Sequence, residues 1–191
     1  MKGFLGPDEK LVQILAEDNR YVVDELGLSH QDLARPLHVM GEVGDYSDKP
    51  QEFHYYGRRF EVWIFAYKGD QLSPFYDDTG TSRDAIVKNL DNGKEIKYSL
   101  LVPHMIERYG FYEGKGTPYR VEPRQVVAVF DFLTAASDGA APEGKPADIS
   151  RVRVWRAVAL ASFLTLVAIV LWLRFIGFRL SGKRAVDKPS S

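Results

Sequence analysis

The fold is decided by the stretch Phe60-Glu-Val-Trp-Ile-Phe-Ala-Tyr67, the strongest β-strand signal in the chain. β-Branched and aromatic side chains of this kind favour a pleated, half-buried surface. Upstream of this stretch, Phe53 and Tyr55 lead to a turn at Gly57. Because two strand-like segments joined by a short turn pair in antiparallel fashion, we predict a β-hairpin at the centre of the fold.

A second hairpin is predicted further along the chain. The segments Ala85–Leu90 and Glu95–Tyr98 are separated by residues 91–94, which include the dipeptide Asn92-Gly93. Asn-Gly is the preferred pair of a type I′ turn, in which both central residues have positive φ. A further short strand is predicted at Tyr119–Val121.

Two helices are predicted before the sheet. An apolar stripe at helical spacing indicates a helix over about Asp8–Leu26, ended by Gly27. Ser29, with Asp32 three residues later as in a capping box, begins a second, shorter helix. Pro36 is expected to shorten or bend that helix, because proline lacks the N–H that the helix interior needs.

Two more helices are predicted after the second hairpin, at Pro103–Tyr109 and Pro123–Leu133. The predicted fold class is therefore α+β: an N-terminal helical hairpin plus a small antiparallel sheet with helices on one face. We expect four or five strands in that sheet. A single C-terminal transmembrane helix is predicted to follow the domain.

The transmembrane prediction rests on Ala157–Leu173, a run of seventeen residues without a charge. A helix needs about 20 apolar residues to cross a bilayer, with a range of ~17–25. Arg156 and Arg174 bracket the run, and their long side chains can reach the headgroups. We therefore predict contact with the lipid bilayer through residues 157–173 and a single-pass membrane protein.

Charge divides the chain at the same place. Residues 1–150 hold 17 Lys/Arg against 25 Asp/Glu, a net charge of −8, and residues 151–191 hold 8 against 1, a net charge of +7. Basic residues on the two sides of the span nearly balance, so they do not set its orientation. Because no signal peptide precedes the domain, we expect a C-terminal anchor and a cytoplasmic domain.

The predicted organisation has four parts. Residues 1–133 form a soluble α+β domain, and residues 134–150, which are small, polar and rich in Pro and Gly, form a flexible linker. Residues 151–180 form the transmembrane helix with its basic flanks, and residues 181–191 a short basic polar tail. The chain has no cysteine, which excludes disulfides and thiolate chemistry.

The string Asp78-Thr79-Gly80-Thr81-Ser82 is the candidate catalytic motif. It resembles the active-site signature of aspartic proteases, in which two Asp carboxylates share one proton. The resemblance implies a dimeric enzyme in which each chain contributes Asp78. Tyr76 and Asp77 precede it where the family has apolar residues. The alternative interpretation is a polar loop whose Asp, Thr and Gly residues serve turn geometry.

The segment Leu26–Ala34 resembles the turn of a helix-turn-helix, with Ser29–Met40 as the helix that would enter the major groove. That helix carries one basic residue, Arg35, and the domain around it has a net charge of −8. Phosphate should repel such a surface, so we expect no nucleic-acid partner. A helical hairpin packed on the sheet is the favoured interpretation.

The sequence indicates no cofactor and no metal site. The four histidines, His30, His38, His54 and His104, have no ligand spacing, and no glycine motif of a nucleotide site is present. The sequence therefore favours a membrane-anchored, non-enzymatic protein-interaction or scaffolding domain at the cytoplasmic face, with an unidentified protein partner. Two alternatives stay open: an aspartic-protease-like dimer using Asp78, and a membrane-tethered DNA-binding regulator.

Overall fold

A computed structural model describes residues 3–44 and 49–135 of the chain, which adopt an α+β fold. Four strands form one antiparallel sheet in the order β1-β2-β3-β4. The strands are Gln51–Tyr55 (β1), Arg58–Leu72 (β2), Gly80–Asn89 (β3) and Glu95–Ser99 (β4). The helices are Leu11–Asn19 (α1), His30–Gly44 (α2), Val102–Tyr109 (α3), Pro123–Val129 (α4) and Phe132–Ala135 (α5). The predicted transmembrane helix, the tail and the linker beyond Ala135 lie outside the described residues.

Both predicted hairpins are present. Tyr56 and Gly57 connect β1 to β2 and both have positive φ, 49° and 71°, as a two-residue type I′ turn requires. The turn between β3 and β4 differs from the prediction, because Gly93 has φ 72° whereas Asn92 is not left-handed. The loop is longer than two residues: the Asn89 N–H donates to the carbonyl of Lys94, 2.8 Å away. A single glycine in the left-handed region is what such a longer loop needs.

The N-terminal helices differ in detail from the prediction. The first begins at Leu11 instead of Asp8, and after Asn19 it widens into a π-helical turn, Arg20–Glu25. Gly27, with φ 65°, ends it as predicted. The capping box is also confirmed: the Ser29 N–H donates to the Asp32 carboxylate at 2.9 Å, and the Asp32 N–H donates to Ser29 Oγ at 3.2 Å.

The second helix, α2, is longer than predicted, because it continues through Pro36 to Gly44. Gly44 lets the end of this helix lie directly against the sheet. A Cβ there would be 2.6 Å from Ile64 Cγ1 and 2.7 Å from Val62 Cγ1, closer than real atoms approach. Burial of one helix face against β2 thus outweighs the hydrogen bond that Pro36 removes.

Two predictions on the C-terminal side of the domain need correction. Tyr119–Val121 is not a strand but part of an irregular loop. The predicted helix Pro123–Leu133 is divided into α4 and α5, because Phe130 leaves the helical region with φ −103° and ψ 61°. The helix Pro103–Tyr109 is confirmed within one residue, and Gly110, with φ 63°, ends it.

The core lies between one face of the sheet and helices α2, α3 and α4. Alternate strand residues are buried, as an antiparallel sheet with one packed face requires. They include Phe60, Val62, Ala85, Val87, Ile96 and Tyr98. Two buried hydrogen bonds fix the helices to this face: Tyr98 Oη donates to the Leu37 carbonyl at 2.7 Å, and Asn89 Nδ2 donates to the Val129 carbonyl at 2.8 Å. Within the described residues, no helix has the length and apolar character needed to cross a bilayer.

A buried ion pair joins the two ends of the domain. Arg120, in the loop before α4, binds Asp18 of α1 through two nitrogens at 2.6 and 3.1 Å, and both side chains are buried. The same guanidinium donates to Glu122 at 2.6 Å and to the carbonyl of Glu113 at 2.5 Å. Arginine suits this position because its planar fork binds a carboxylate with two parallel hydrogen bonds.

We predict that Asp18→Asn lowers the free energy of unfolding by about 3–5 kcal/mol, because it removes the buried carboxylate that binds Arg120 at two points and leaves only the half-exposed Glu122 as a counter-ion. The exposed pair Arg20–Glu25, 3.9 Å apart, is the matched control, and Glu25→Gln should cost less than about 1 kcal/mol. Urea unfolding of the chain ending at Ser150 measures both. An equal decrease in unfolding free energy in the two variants would contradict a greater contribution of the buried ion pair.

Candidate functional site

The face of the sheet opposite the core carries a row of aromatic side chains. Trp63, Phe65 and Tyr67 follow one another at every second residue of β2, and Ile86 of β3 lies across from Trp63. The ring centroids of Trp63 and Phe65 are 4.2 Å apart. Trp63 is 42% exposed and Tyr67 is 52% exposed. We call these four side chains the aromatic stripe.

Charged side chains surround the aromatic stripe. In the sheet register, Lys88 lies between Glu61 of β2 and Glu95 of β4. On the other side, Lys97 Nζ is 3.4 Å from Asp84 Oδ2. An apolar aromatic centre with a rim of mixed charges is the composition of a protein-binding surface.

A pocket of about 430 Å³ adjoins the end of the aromatic stripe. Tyr67 belongs to both, and Asp84, Lys97, Tyr119 and Phe4 also line the pocket. The pKa of Lys97 is raised, because the favourable interactions with Tyr67 and Asp84 exceed the opposing effect of burial. The pocket is therefore lined by an ion pair, in which Lys97 is the counter-ion of the Asp84 carboxylate.

Glu113 is a buried carboxyl group beside this pocket. It has no exposed surface, and its backbone has φ 68°, in the left-handed region. Thr117 Oγ1 donates to Oε2 at 3.3 Å, whereas Oε1 has no hydrogen-bond partner among the described residues. Burial raises the pKa of Glu113 to about 7, and the nearby negative charge of Asp84 adds to the shift. Glu113 is therefore largely protonated below neutral pH.

Asp78, the residue of the protease-like motif, lies on an exposed loop before β3. Its backbone φ of 56° and that of Tyr76, 57°, are both left-handed, a conformation that costs non-glycine residues energy. Tyr76 is 93% exposed. Gly80 and the residues after it belong to β3. The side-chain hydrogen bonds that join this loop to α3 are made by the neighbouring carboxylate, Asp77.

Asp77 holds this loop in place. His104 Nε2 lies 2.7 Å and Tyr109 Oη 2.8 Å from Asp77 Oδ2, and Phe75 stacks on the Tyr109 ring with centroids 3.9 Å apart. The hydrogen bond with His104, followed by that from Tyr109, lowers the pKa of the Asp77 carboxyl, with burial opposing them. These hydrogen bonds join the loop before β3 to helix α3. They offset the energetic cost of the left-handed backbone at Tyr76 and Asp78.

The other histidines are dispersed. His30 lies between Tyr112 Oη, at 3.0 Å from Nδ1, and Asn19 Oδ1, at 3.3 Å from Nε2. Burial lowers the pKa of His30. His38 pairs with Glu107 at 3.2 Å, and His54 is exposed on β1. Within residues 3–44 and 49–135, no three acidic or imidazole groups converge as metal ligands.

The second helix, α2, presents little of its surface to solvent. Eight of its residues are buried: Leu33, Ala34, Pro36, Leu37, Val39, Met40, Gly41 and Gly44. Its exposed positions are Gln31, Arg35 and Glu42. A recognition helix has to expose a basic side for the major groove, so this placement gives the DNA-binding alternative no support.

Sequence reasoning missed the Asp77–His104–Tyr109 cluster and the buried carboxyl of Glu113. Each depends on contacts between residues 27 or more positions apart, and no local spacing marks such contacts. Left-handed φ at Tyr76 and Glu113 is also invisible in the sequence, because neither residue type favours it. Only the aromatic stripe had a visible signal, the unbroken run of large side chains in β2.

No protein-family model, no curated protein and no solved structure matches this chain. The chemistry of its exposed side chains therefore has to indicate its function.

We predict that Glu113→Gln removes a pH dependence from the stability of the domain. The folded pKa of about 7 lies above the ordinary value of 4.5, so the stabilising effect of the protonated form is complete below pH 4.5 and is lost by pH 7. The unfolding free energy of the wild type should fall across this window by up to about 3 kcal/mol relative to the variant. Urea titrations between pH 4.5 and 8 measure the difference.

Glu95→Gln is the control, because Glu95 is exposed on β4. Its difference from the wild type should stay flat over the same pH range. A flat difference profile for Glu113→Gln as well would show that Glu113 is already ionised in the folded domain.

Proposed function

We propose that this chain is a membrane-anchored, non-enzymatic protein-interaction domain that scaffolds a partner protein at the cytoplasmic face, with the aromatic stripe as its contact surface. The observation that carries the proposal is the exposure of Trp63 beside Phe65 and Ile86 on the open face of the sheet. Tryptophan and tyrosine contribute most strongly at protein interfaces, because they bury large rigid surfaces at little cost in side-chain entropy.

The geometry also supports a rigid contact surface. The aromatic stripe lies on two hydrogen-bonded strands, and Trp63 and Phe65 of β2 pair with Ile86 and Asp84 of β3. A preorganised surface loses less conformational entropy on binding than a loop does. The charged rim, with Lys88 between Glu61 and Glu95, then selects the partner through charge complementarity.

The membrane part of the proposal rests on residues 157–173 and their basic flanks. The linker of 17 residues, 134–150, would keep the domain within some tens of ångströms of the bilayer surface. Such tethering raises the effective concentration of a partner that shares the membrane. The proposed role is therefore to hold that partner at the membrane.

We expect Trp63→Ala to abolish capture of the partner by the full chain. The full chain is purified from detergent extract after cross-linking in cells, and the captured proteins are quantified by mass spectrometry. Loss of an aromatic anchor typically costs 2 kcal/mol or more, which lowers affinity about thirtyfold. Val12→Ala is the control, since Val12 is also apolar and 77% exposed but lies on α1. The proposal fails if both variants capture the same proteins as the wild type.

The anchor is tested separately. We expect the full chain to sediment with membranes and to resist extraction by alkaline carbonate, because residues 157–173 carry no charge. A chain that ends at Ser150 should be soluble and folded. Protease added outside intact cells should leave the domain uncut. Release of the full chain by carbonate would contradict the anchor, and digestion from outside would contradict the cytoplasmic orientation.

A further inference from the structure

The N-terminal segment Gly3–Glu9, which we call the strap, is held against the loop Glu113–Thr117, which we call the acid loop. The Gly114 N–H donates to the Phe4 carbonyl at 2.8 Å. The Glu9 carboxylate accepts hydrogen bonds from both segments, from the Gly6 N–H at 2.7 Å and from the Gly116 N–H at 2.9 Å. Two hydrogen bonds therefore join the strap to the acid loop, and a third folds the strap on itself.

The two segments approach each other at backbone distance. A Cβ on Gly114 would lie 2.9 Å from Leu5 Cα and would overlap the Glu9 carboxylate. A Cβ on Gly116 would lie 3.1 Å from Gly6 Cα. Because so little space separates them, a shift of the acid loop has to displace the strap. Phe4 of the strap lines the pocket beside the aromatic stripe, so the same displacement opens that pocket.

Among the described residues, no ion pair is formed by the carboxyl group of Glu113. Lys115 of the acid loop is itself paired with Glu17 of α1. On β3, Asp84 repels a second negative charge and is itself paired with Lys97. On the strap, Glu9 is also acidic. Arg120 reaches the Glu113 carbonyl, but its guanidinium is bound to Asp18 and Glu122.

An ionised Glu113 is therefore unstable in the closed arrangement. A buried carboxylate that lacks hydrogen-bond donors and a counter-ion loses its hydration without compensation. Thr117 offers one weak donor, at 3.3 Å, and Oε1 has none among the described residues. The charge can regain water if the acid loop moves outward, and the left-handed φ of Glu113 is relieved by the same movement.

We propose that the strap is a proton-controlled cover: loss of the Glu113 proton releases the strap from the acid loop and opens the pocket behind Phe4. The closed cover is favoured in mildly acidic conditions, and opening becomes more favourable as the pH rises through neutral. The two states differ at the strap and the acid loop, whereas the sheet and the helices on its packed face remain folded.

Hydrogen–deuterium exchange of the full chain in detergent micelles tests this cover. Exchange is compared at pH 5.5 and 7.5 after correction for the intrinsic rate. Linkage to a group with a folded pKa near 7 makes the opening constant on the order of tenfold larger at the higher pH. We expect faster exchange at pH 7.5 in peptides from the strap and the acid loop. Exchange in β2 and β3 should be the same at the two pH values.

Three variants complete the experiment. Glu113→Gln should keep strap exchange slow at both pH values, and Glu95→Gln should behave as the wild type. Glu9→Gln should give fast strap exchange at both pH values, because it weakens the link itself. Equal corrected exchange of the wild-type strap at the two pH values overturns the proposal. An increase in wild-type exchange that is spread evenly over the sheet also overturns it. Both outcomes are read from the wild type, so they remain decisive even if Glu113→Gln does not fold.

Discussion

The buried guanidinium of Arg120 is the interaction on which the rest of the domain depends. It binds Asp18 of α1, Glu122 before α4 and the main chain at Glu113, so one charged group joins α1 to two points of the loop between α3 and α4. A buried ion pair contributes little net stability compared with apolar packing, but it tolerates only one arrangement of its partners. The pair therefore fixes where α1 and the loop before α4 lie relative to each other.

Two unusual features of the backbone lie next to this ion pair. The Glu113 carbonyl accepts a hydrogen bond from Arg120, and Glu113 has a left-handed backbone and a buried side chain. The helix that carries Asp18 widens into a π-helical turn directly afterwards, at Arg20–Glu25. Such π-helical turns are rare and frequently occur at functional sites. In both places local strain coexists with the buried ion pair.

The sequence predicted those elements whose signals are local. The two hairpins, the capping box at Ser29 and the helix ended by Gly110 were predicted because a turn or cap of fixed residue types marks each of them. Local signals misled where tertiary packing decided the outcome. Burial of α2 against β2 carried the helix past Pro36, and Tyr119–Val121 joined an irregular loop because Arg120 points inward to Asp18. The Asp77 cluster and Glu113 could not be predicted, since each is defined by partners distant in sequence.

The aromatic stripe breaks the rule that the rest of the sheet obeys. An antiparallel sheet with one packed face should alternate apolar and polar residues, and β3 and β4 place Lys88, Glu95 and Lys97 on the open face accordingly. On β2 the equivalent positions are aromatic, and Ile86 of β3 lies across from Trp63, although Trp63 and Tyr67 are 42% and 52% exposed. Threonine or lysine would satisfy strand propensity there without presenting apolar surface to water. A departure from the local pattern of this kind is expected at a functional surface, and it supports the proposed contact on the open face of β2.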